Sequence, residues 1–213
     1  MAVLLLRLNA PLQSWGSVSR FDTRDTGREP TKSGVIGMIA AALGIPRESS
    51  KAELARLSKL KFGVRVEKEG RLLKDYHTAK SKKSAYVTNR YYLSDATFLV
   101  GLESDDEQML ESIRLAIHSP VYPLFLGRRS CPPTLPIDMG VVEGGLMEAL
   151  RNASPVVDSL KETEMRIVCD ADEGGKIVQD DPVSFSQVHR RYGYRMTSES
   201  MIRIGDHDPM KKL

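Results

Sequence analysis

His77 stands in the stretch Asp75-Tyr76-His77-Thr78-Ala79-Lys80, with Lys82 and Lys83 close behind. Metal-free cleavage of RNA takes a base for the 2′-hydroxyl, an acid for the leaving oxygen and cations for the pentavalent charge. A histidine, a phenol and several lysines supply those functions. A histidine in a basic, aromatic segment also serves as a stacking or hydrogen-bonding group, which is its commoner use. The other histidines offer less: His118 ends a predicted helix, where a cation suits the dipole, His189 belongs to a cationic run, and His207 lies in a polar tail. No H-E-x-x-H, Walker A, G-x-S-x-G or dinucleotide string occurs. Asp105-Asp106 suits a helix start and Asp180-Asp181-Pro182 reads as a turn, so neither requires a metal. Cys131 and Cys169 lack the C-x2-C spacing of a zinc site, and Cys131, with no oriented histidine to activate it, reads as a small buried thiol. No cofactor is implied.

The charge is unevenly placed. Lys and Arg number 31 against 28 Asp and Glu, a net of +3 that is not histone-like. Between Arg71 and Tyr92, however, six Lys/Arg and one acid carry +5, leaving −2 for the rest of the chain. The same window holds four of the seven tyrosines: Tyr76, Tyr86, Tyr91 and Tyr92. Cations neutralise phosphates and aromatic rings stack on unpaired bases, so interleaving them suits single-stranded nucleic acid. A solvated lysine-rich loop or a tyrosine-bearing protein interface fits the same window.

Three further segments repeat the theme. Arg24, Arg28 and Lys32 precede a helix whose start, Thr31-Lys32-Ser33-Gly34, combines hydroxyls, backbone N–H groups and the positive dipole end, a place for an anion. Simple capping by Ser33 is compatible with that. Gly127-Arg128-Arg129-Ser130-Cys131-Pro132-Pro133 is a rigid loop in which Gly127 permits close backbone approach, or else a solvated turn. His189 to Arg195 mixes cations and aromatics, although Arg191 and Arg195 can equally pair with Asp180, Asp181 or Glu199.

These residues need elements to position them. Ala2 to Leu8 is an almost unbroken apolar run, the pattern of a strand covered on both faces. Residues 9–32 have no sustained period and form a long ordered loop, a length that in a compact domain points to function. Val35, Ile36, Ile39 and Leu43 share a helical face that Gly44 and Pro46 end. Ser50 with Glu53 caps a second helix through Leu60. Phe62, Val64 and Val66 alternate with Arg65 and Glu67 as a half-buried strand, and Glu69-Gly70 turns it back. Asp95 to Leu102 is another strand, and Ser104 with Glu107 caps a helix carrying Met109, Leu110, Ile113, Ala116 and Ile117 on one face. With a return strand between Tyr122 and Val142 the order is β-α-β-β-α-β, the ferredoxin-like unit also used by RNA recognition motifs, and the 50–60 helix is an insertion. Beyond Pro155 the pattern is β-rich: Glu164 to Asp170, a turn at Glu173-Gly174-Gly175, Lys176 to Gln179, and Tyr192 to Met196.

With 41% apolar and 28% charged residues among 213, the chain can bury a real core as one domain with a smaller annex. Two cysteines are too few for a disulfide scaffold and predict a reducing, cytoplasmic setting. The apolar run Val3 to Leu6, cut by Arg7, is too short for a signal peptide or a membrane span.

The strings LLLRLNAPLQSWG, FDTRDTGREPTKSGVIGMIAAALGI, DYHT, YYLSDATFLVGL and LGRRSCPP, in this order, resemble the type I-E members of the CRISPR-associated family named Cas five. The likeness runs from residue 4 to about 136 and continues more loosely through DDPVSF and HRRYGYR. It implies an α+β, ferredoxin-like/RRM-like (RAMP) domain over residues 1–150, with an inserted β-hairpin thumb at about 76–92 and a small C-terminal β annex over 151–213. It implies a non-catalytic Cascade subunit that holds the crRNA 5′ handle, caps the backbone subunits' filament, meets the large subunit and so touches target DNA only indirectly. The implied handle contacts are Gln13, Ser14 and Trp15; Arg24, Arg28, Thr31, Lys32, Ser33 and Gly34; and Arg128, Arg129, Ser130 and Cys131. The thumb, with Tyr76, His77, Lys80 and Arg90, would hold a displaced nucleotide. The type I-C relative is itself the processing endonuclease, but the TKSG and GRRSCP strings are similar to the I-E form.

Overall fold

The opening apolar run has two hydrophobic sides, and each side is covered. The computed structural model describes residues 1–16, 23–48, 51–80, 85–157 and 164–203. Strand β1 (Ala2–Asn9) directs Leu4, Leu6 and Leu8 into one core and Val3 and Leu5 into another. After it come β2 (Leu12–Gln13), β3 (Thr23–Arg24), α1 (Lys32–Ala42), α2 (Lys51–Ser58), β4 (Lys61–Lys68), β5 (Arg71–Lys80), β6 (Ala85–Ser94) and β7 (Thr97–Ser104). The chain continues with α3 (Glu107–His118), β8 (Asp138–Glu143), α4 (Leu146–Asn152), β9 (Glu164–Asp170), β10 (Lys176–Ser184) and β11 (Arg191–Arg203). The fold is mixed α/β with strands predominating.

Seven strands form one antiparallel sheet in the order β10-β11-β9-β4-β7-β1-β8. Val35, Ile36 and Ile39 of α1 and Leu110, Ile113 and Ile117 of α3 join Leu4, Leu6 and Leu8 on one face. Each such side chain, once buried, contributes roughly 1.5–3 kcal/mol of transfer free energy. The opposite face is covered by Leu146, Ala149 and Leu150 of α4, a helix with no forecast in the sequence reading. A second sheet is built on β6, which pairs with β5 along its length and with the short β2 and β3 on its other edge. The 9–32 segment is thus pinned at two points, with residues 17–22 outside the described set.

Four local expectations change. Thr31, not Ser33, caps α1, because its Oγ1 accepts from Gly34 N at 3.2 Å. Asp106, not Ser104, caps α3, accepting from Met109 N at 2.9 Å, while Ser104 Oγ accepts from Asp106 N. The Asp180-Asp181-Pro182 string lies inside β10, whose register slips around it, and is not a turn. Strand β4 is buried on both faces, because Arg65 and Glu67 are paired beneath α4 and the following loop. Ser50, the expected cap of the second helix, lies outside the described residues.

Asp138 fastens α3 to β8. Its Oδ2 accepts from Arg114 Nε at 2.8 Å and pairs with His118 Nε2 at 2.7 Å, and its Oδ1 accepts from Gly140 N at 2.8 Å. Burial works to raise this carboxyl, but the Gly140, His118 and Arg114 hydrogen bonds outweigh it and hold the pKa below the usual 3.8. A depressed folded pKa stabilises the ionised form, so the contribution is complete above 3.8 and is lost as pH falls through the lower folded value. The stability gap between wild type and Asp138→Asn should therefore be full at neutral pH and close only as pH falls below 3.8, as measured by urea titrations across pH; a gap independent of pH would refute the ion-pair account.

Candidate nucleic-acid interface

The loop leaving β1 is fixed by its own buried polar groups. Gln13 Nε2 donates to Ala96 O at 2.8 Å and Leu8 O at 3.3 Å, and its Oε1 accepts from Trp15 Nε1 at 3.0 Å. Trp15 N donates to Thr26 Oγ1, Gly27 N donates to Trp15 O, and the indole lies against α1 where Gly34 leaves room for it. A Cβ on Gly34 would stand 2.9 Å from that ring. The expected direct contact by Gln13 is corrected, because its side chain is fully buried in holding the loop, while Trp15, equally buried, lines the groove described below. Ser14 is also buried and lines that groove.

The loop 126–131 lies directly on this frame. Ser14 N donates to Leu126 O at 3.1 Å, and a Cβ at Gly127 would fall 1.7 Å from Ser14 O. With its φ of +90°, position 127 admits only glycine. Leu126 N donates to Cys131 O and Cys131 N to Arg128 O, closing the turn. Cys131 is buried and burial pushes its thiol up, so its side chain packs in the core in place of the expected RNA contact. Cys169 is likewise buried; desolvation, with Asp170 beside it, pushes that thiol up to about 12. Ser130 and Arg129 are exposed at the turn, and Ser130 Oγ is 3.5 Å from Tyr92 OH. Arg128 is half-buried, with its guanidinium on the carbonyls of Tyr91, Arg24 and Asp25.

The α1 start is already occupied. Lys32 N donates to Asp180 Oδ2 at 2.8 Å, and Lys32 Nζ lies 3.3 Å from Asp170 and 3.4 Å from Asp181. Arg195 joins them, at 2.6 and 2.9 Å from Asp180 and 2.6 Å from Asp170, over the Phe62 ring. Lys32 is thus a buried strut between α1 and the C-terminal strands, correcting its expected phosphate contact. Thr31, Ser33 and Gly34 still line the groove, although Ser33 is largely buried. Arg28 points elsewhere and pairs with Glu69 at 3.0 Å.

These pieces enclose an open groove of about 1270 Å³ between the β1 loop, α1, the 122–129 loop and residues 185–192. Its exposed cations are Arg24, Arg47, Arg129 and Arg190, and its buried apolar lining includes Met38, Leu54 and Leu57. Of its acids, Glu48 accepts from Gln187 N at 2.9 Å. That bond and one from the Ser186 hydroxyl hold the Glu48 carboxyl below its usual range. Three basic segments separated in sequence, around 24, 128 and 190, so converge on one surface. Arg47, Phe125 and Phe185 are site residues that sequence reasoning missed, since nothing local marks a lone arginine or phenylalanine as groove-lining.

The β5–β6 hairpin carries the fourth basic segment. Register places Asp75 opposite Arg90, His77 opposite Thr88 and Leu73 opposite Tyr92, so Asp75, His77, Arg90 and Tyr92 share one face. His77 Nε2 pairs with Asp75 Oδ2, and the buried Arg90 Nε has no hydrogen-bond partner among the described residues. On the other face Lys74 lies 5.1 Å from the Tyr76 ring and 5.9 Å from that of Tyr91. Lys80 is exposed near the tip, and Lys82 and Lys83 lie outside the described residues. No group of three or more His, Cys, Asp or Glu among the described residues is placed to hold a metal ion, and no helix among them is long and apolar enough to cross a membrane.

The chain is similar to known proteins over most of its length. A curated relative, "CRISPR system Cascade subunit CasD" of Escherichia coli (strain K12), is 35% identical over 173 residues, covering 72% of this chain and 77% of the relative. A solved structure described as "Crystal structure of Cas protein" superposes with a TM-score of 0.77 at 39% identity, covering 94% of this chain and 95% of the other. A chain of a "CRISPR RNA-guided surveillance complex" gives 0.80 at 30% identity, covering 95% and 90%. Residues 3–197 match the family described as "CRISPR-associated protein (Cas_Cas5)", and the chain belongs to that family.

Proposed function

We propose that this protein is a non-catalytic crRNA-binding subunit of a type I-E Cascade complex that holds the 5′ handle, caps the backbone filament and meets the large subunit. The observation that carries this reading is the groove, where Arg24, Arg129 and Arg190 converge from three distant segments. The relatives support it: one is named a Cascade subunit and another belongs to an RNA-guided surveillance complex. The order β8-β1-β7-β4 with α1 and α3 on one face supports a ferredoxin-like (RAMP) core within residues 1–150. The β5–β6 hairpin suits the thumb, and the β-rich stretch after 150 is an extension that adds a wall to the groove.

In this reading Arg24, Arg129 and Arg190 meet phosphates, while Ser14, Thr31, Ser33, Gly34 and Ser130 offer short-range polar contacts. Tyr76, His77, Lys80 and Arg90 act on the hairpin, where exposed rings suit unpaired bases. Its exposed Leu72, Tyr86 and Val87 suit a protein neighbour in the filament. Gln13, Trp15, Lys32 and Cys131 hold the frame. One feature favours a second reading: the His77–Asp75 pair is the geometry that orients an imidazole for proton transfer, as metal-independent cleavage of CRISPR precursor RNA would require.

Incubating the full chain with labelled repeat RNA in EDTA separates the two. Retention of intact RNA is expected. A product ending at the handle boundary that disappears in His77→Ala would replace the holding role by a cleaving one.

A further inference from the structure

Arg128 and Arg129 are adjacent and chemically identical, yet the fold gives them opposite surroundings. Arg128 Nη1 donates to Tyr91 O at 3.0 Å, and Nη2 donates to Arg24 O at 2.7 Å and Asp25 O at 3.1 Å. The guanidinium lies 4.8 Å from the centroid of the buried Tyr92 ring. One side chain therefore joins the base of the hairpin on β6 to the end of β3, across a loop whose own seat is fixed by the Gly127–Ser14 contact. Arg129 is exposed and has no partner among the described residues.

We propose that Arg128 is a positioning residue that registers the hairpin against the groove, so that one RNA strand runs from one to the other, and that Arg129 is the phosphate ligand of the pair. This rests on the RNA-holding reading above. The physical reason is the fork. A planar guanidinium reaches carbonyls of two segments at once and stacks on a ring, which an ammonium on a flexible stem does not reproduce. A phosphate, by contrast, also accepts from a point charge, so lysine at position 129 keeps the charge that sets the salt slope. Neutral carbonyls leave the Arg128 charge in place, and Arg128→Lys keeps that charge while removing the geometry.

The test is binding of a single-stranded RNA bearing the 5′ handle of the host's own CRISPR repeat to the full chain over a salt series. The variants are Arg128→Lys, Arg129→Lys, Arg129→Gln and Tyr92→Leu, with thermal unfolding and amide exchange followed on each. Arg128→Lys should bind about tenfold more weakly with an unchanged salt slope, and exchange should rise at residues 24–25 and 91–92. Tyr92→Leu, which alters no charge and lies under the guanidinium, should do the same and keeps the proposal testable if Arg128→Lys folds poorly. Arg129→Lys should keep the wild-type salt slope, and Arg129→Gln should lower it by about 0.7. Arg128→Lys and Tyr92→Leu that both bind within about twofold of wild type would overturn the proposal, as would weakening accompanied by a smaller slope. Failure of the wild-type chain to bind the RNA would instead overturn the RNA-holding reading and this assignment with it.

Discussion

Replacing Arg24, Arg129 and Arg190 together by glutamine is expected to weaken handle-RNA binding by on the order of 10³-fold near 0.1 M salt and to lower the salt slope by about 2. The three guanidiniums come from segments far apart in the chain, yet all line one groove and all are exposed. A cation on a phosphate releases bound counterions, about 0.7 per contact for a single strand, which sets the slope. The affinity figure follows from about 1.5 kcal/mol for each hydrogen bond to a charged group. Because these side chains support no core contact, the melting temperature should stay within a few degrees of wild type. Filter binding from 50 to 400 mM salt measures both quantities. A triple variant with wild-type slope would show that RNA does not use this groove.

Arg65→Ala is expected to cost about 3–5 kcal/mol of stability, the range for removing one member of a buried ion pair. At this chain length that lowers the melting temperature by roughly 6–20 °C. Arg65 and Glu67 are both fully buried at the side chain and meet at 2.6 Å. Arg65 also donates to Leu150 O at 2.5 Å, Ala153 O at 2.7 Å and Ser154 O at 3.0 Å, carbonyls in the last turn of α4 and just past its end. Burial lowers the Arg65 pKa, with Glu67 opposing that shift. Its loss leaves the Glu67 carboxylate, which still accepts from Val156 N, without a counter-charge. The double variant Arg65→Met/Glu67→Leu should recover part of the loss, since it removes the lone charge but not the open carbonyls. A calorimetric shift under 3 °C for Arg65→Ala would mean that water reaches the pair.

Much of the framework was legible without coordinates. The helix whose apolar face is Met109, Leu110, Ile113 and Ile117, and the strand Glu164–Asp170, follow from local periodicity. The concentration of cations and tyrosines in 71–92 follows from counting, and it falls on a single hairpin. Short α4 was not legible, because Leu146–Asn152 is too brief to show a period and its burial comes from packing over β4 and β7.

Residue type and spacing determined most of the longer elements and that four basic segments exist, because those properties depend on neighbours within one or two turns. They did not determine what each cation meets. Lys32, Arg65 and Arg128 look in the sequence like solvent-facing charges, and the tertiary structure places them against carboxylates or carbonyls at positions 170, 150 and 91. Arg24, Arg129 and Arg190 look no different, and they are exposed on a shared groove with no side-chain partner among the described residues. The difference lies in desolvation and in partners contributed by distant segments, and only the folded chain brings those within hydrogen-bond reach.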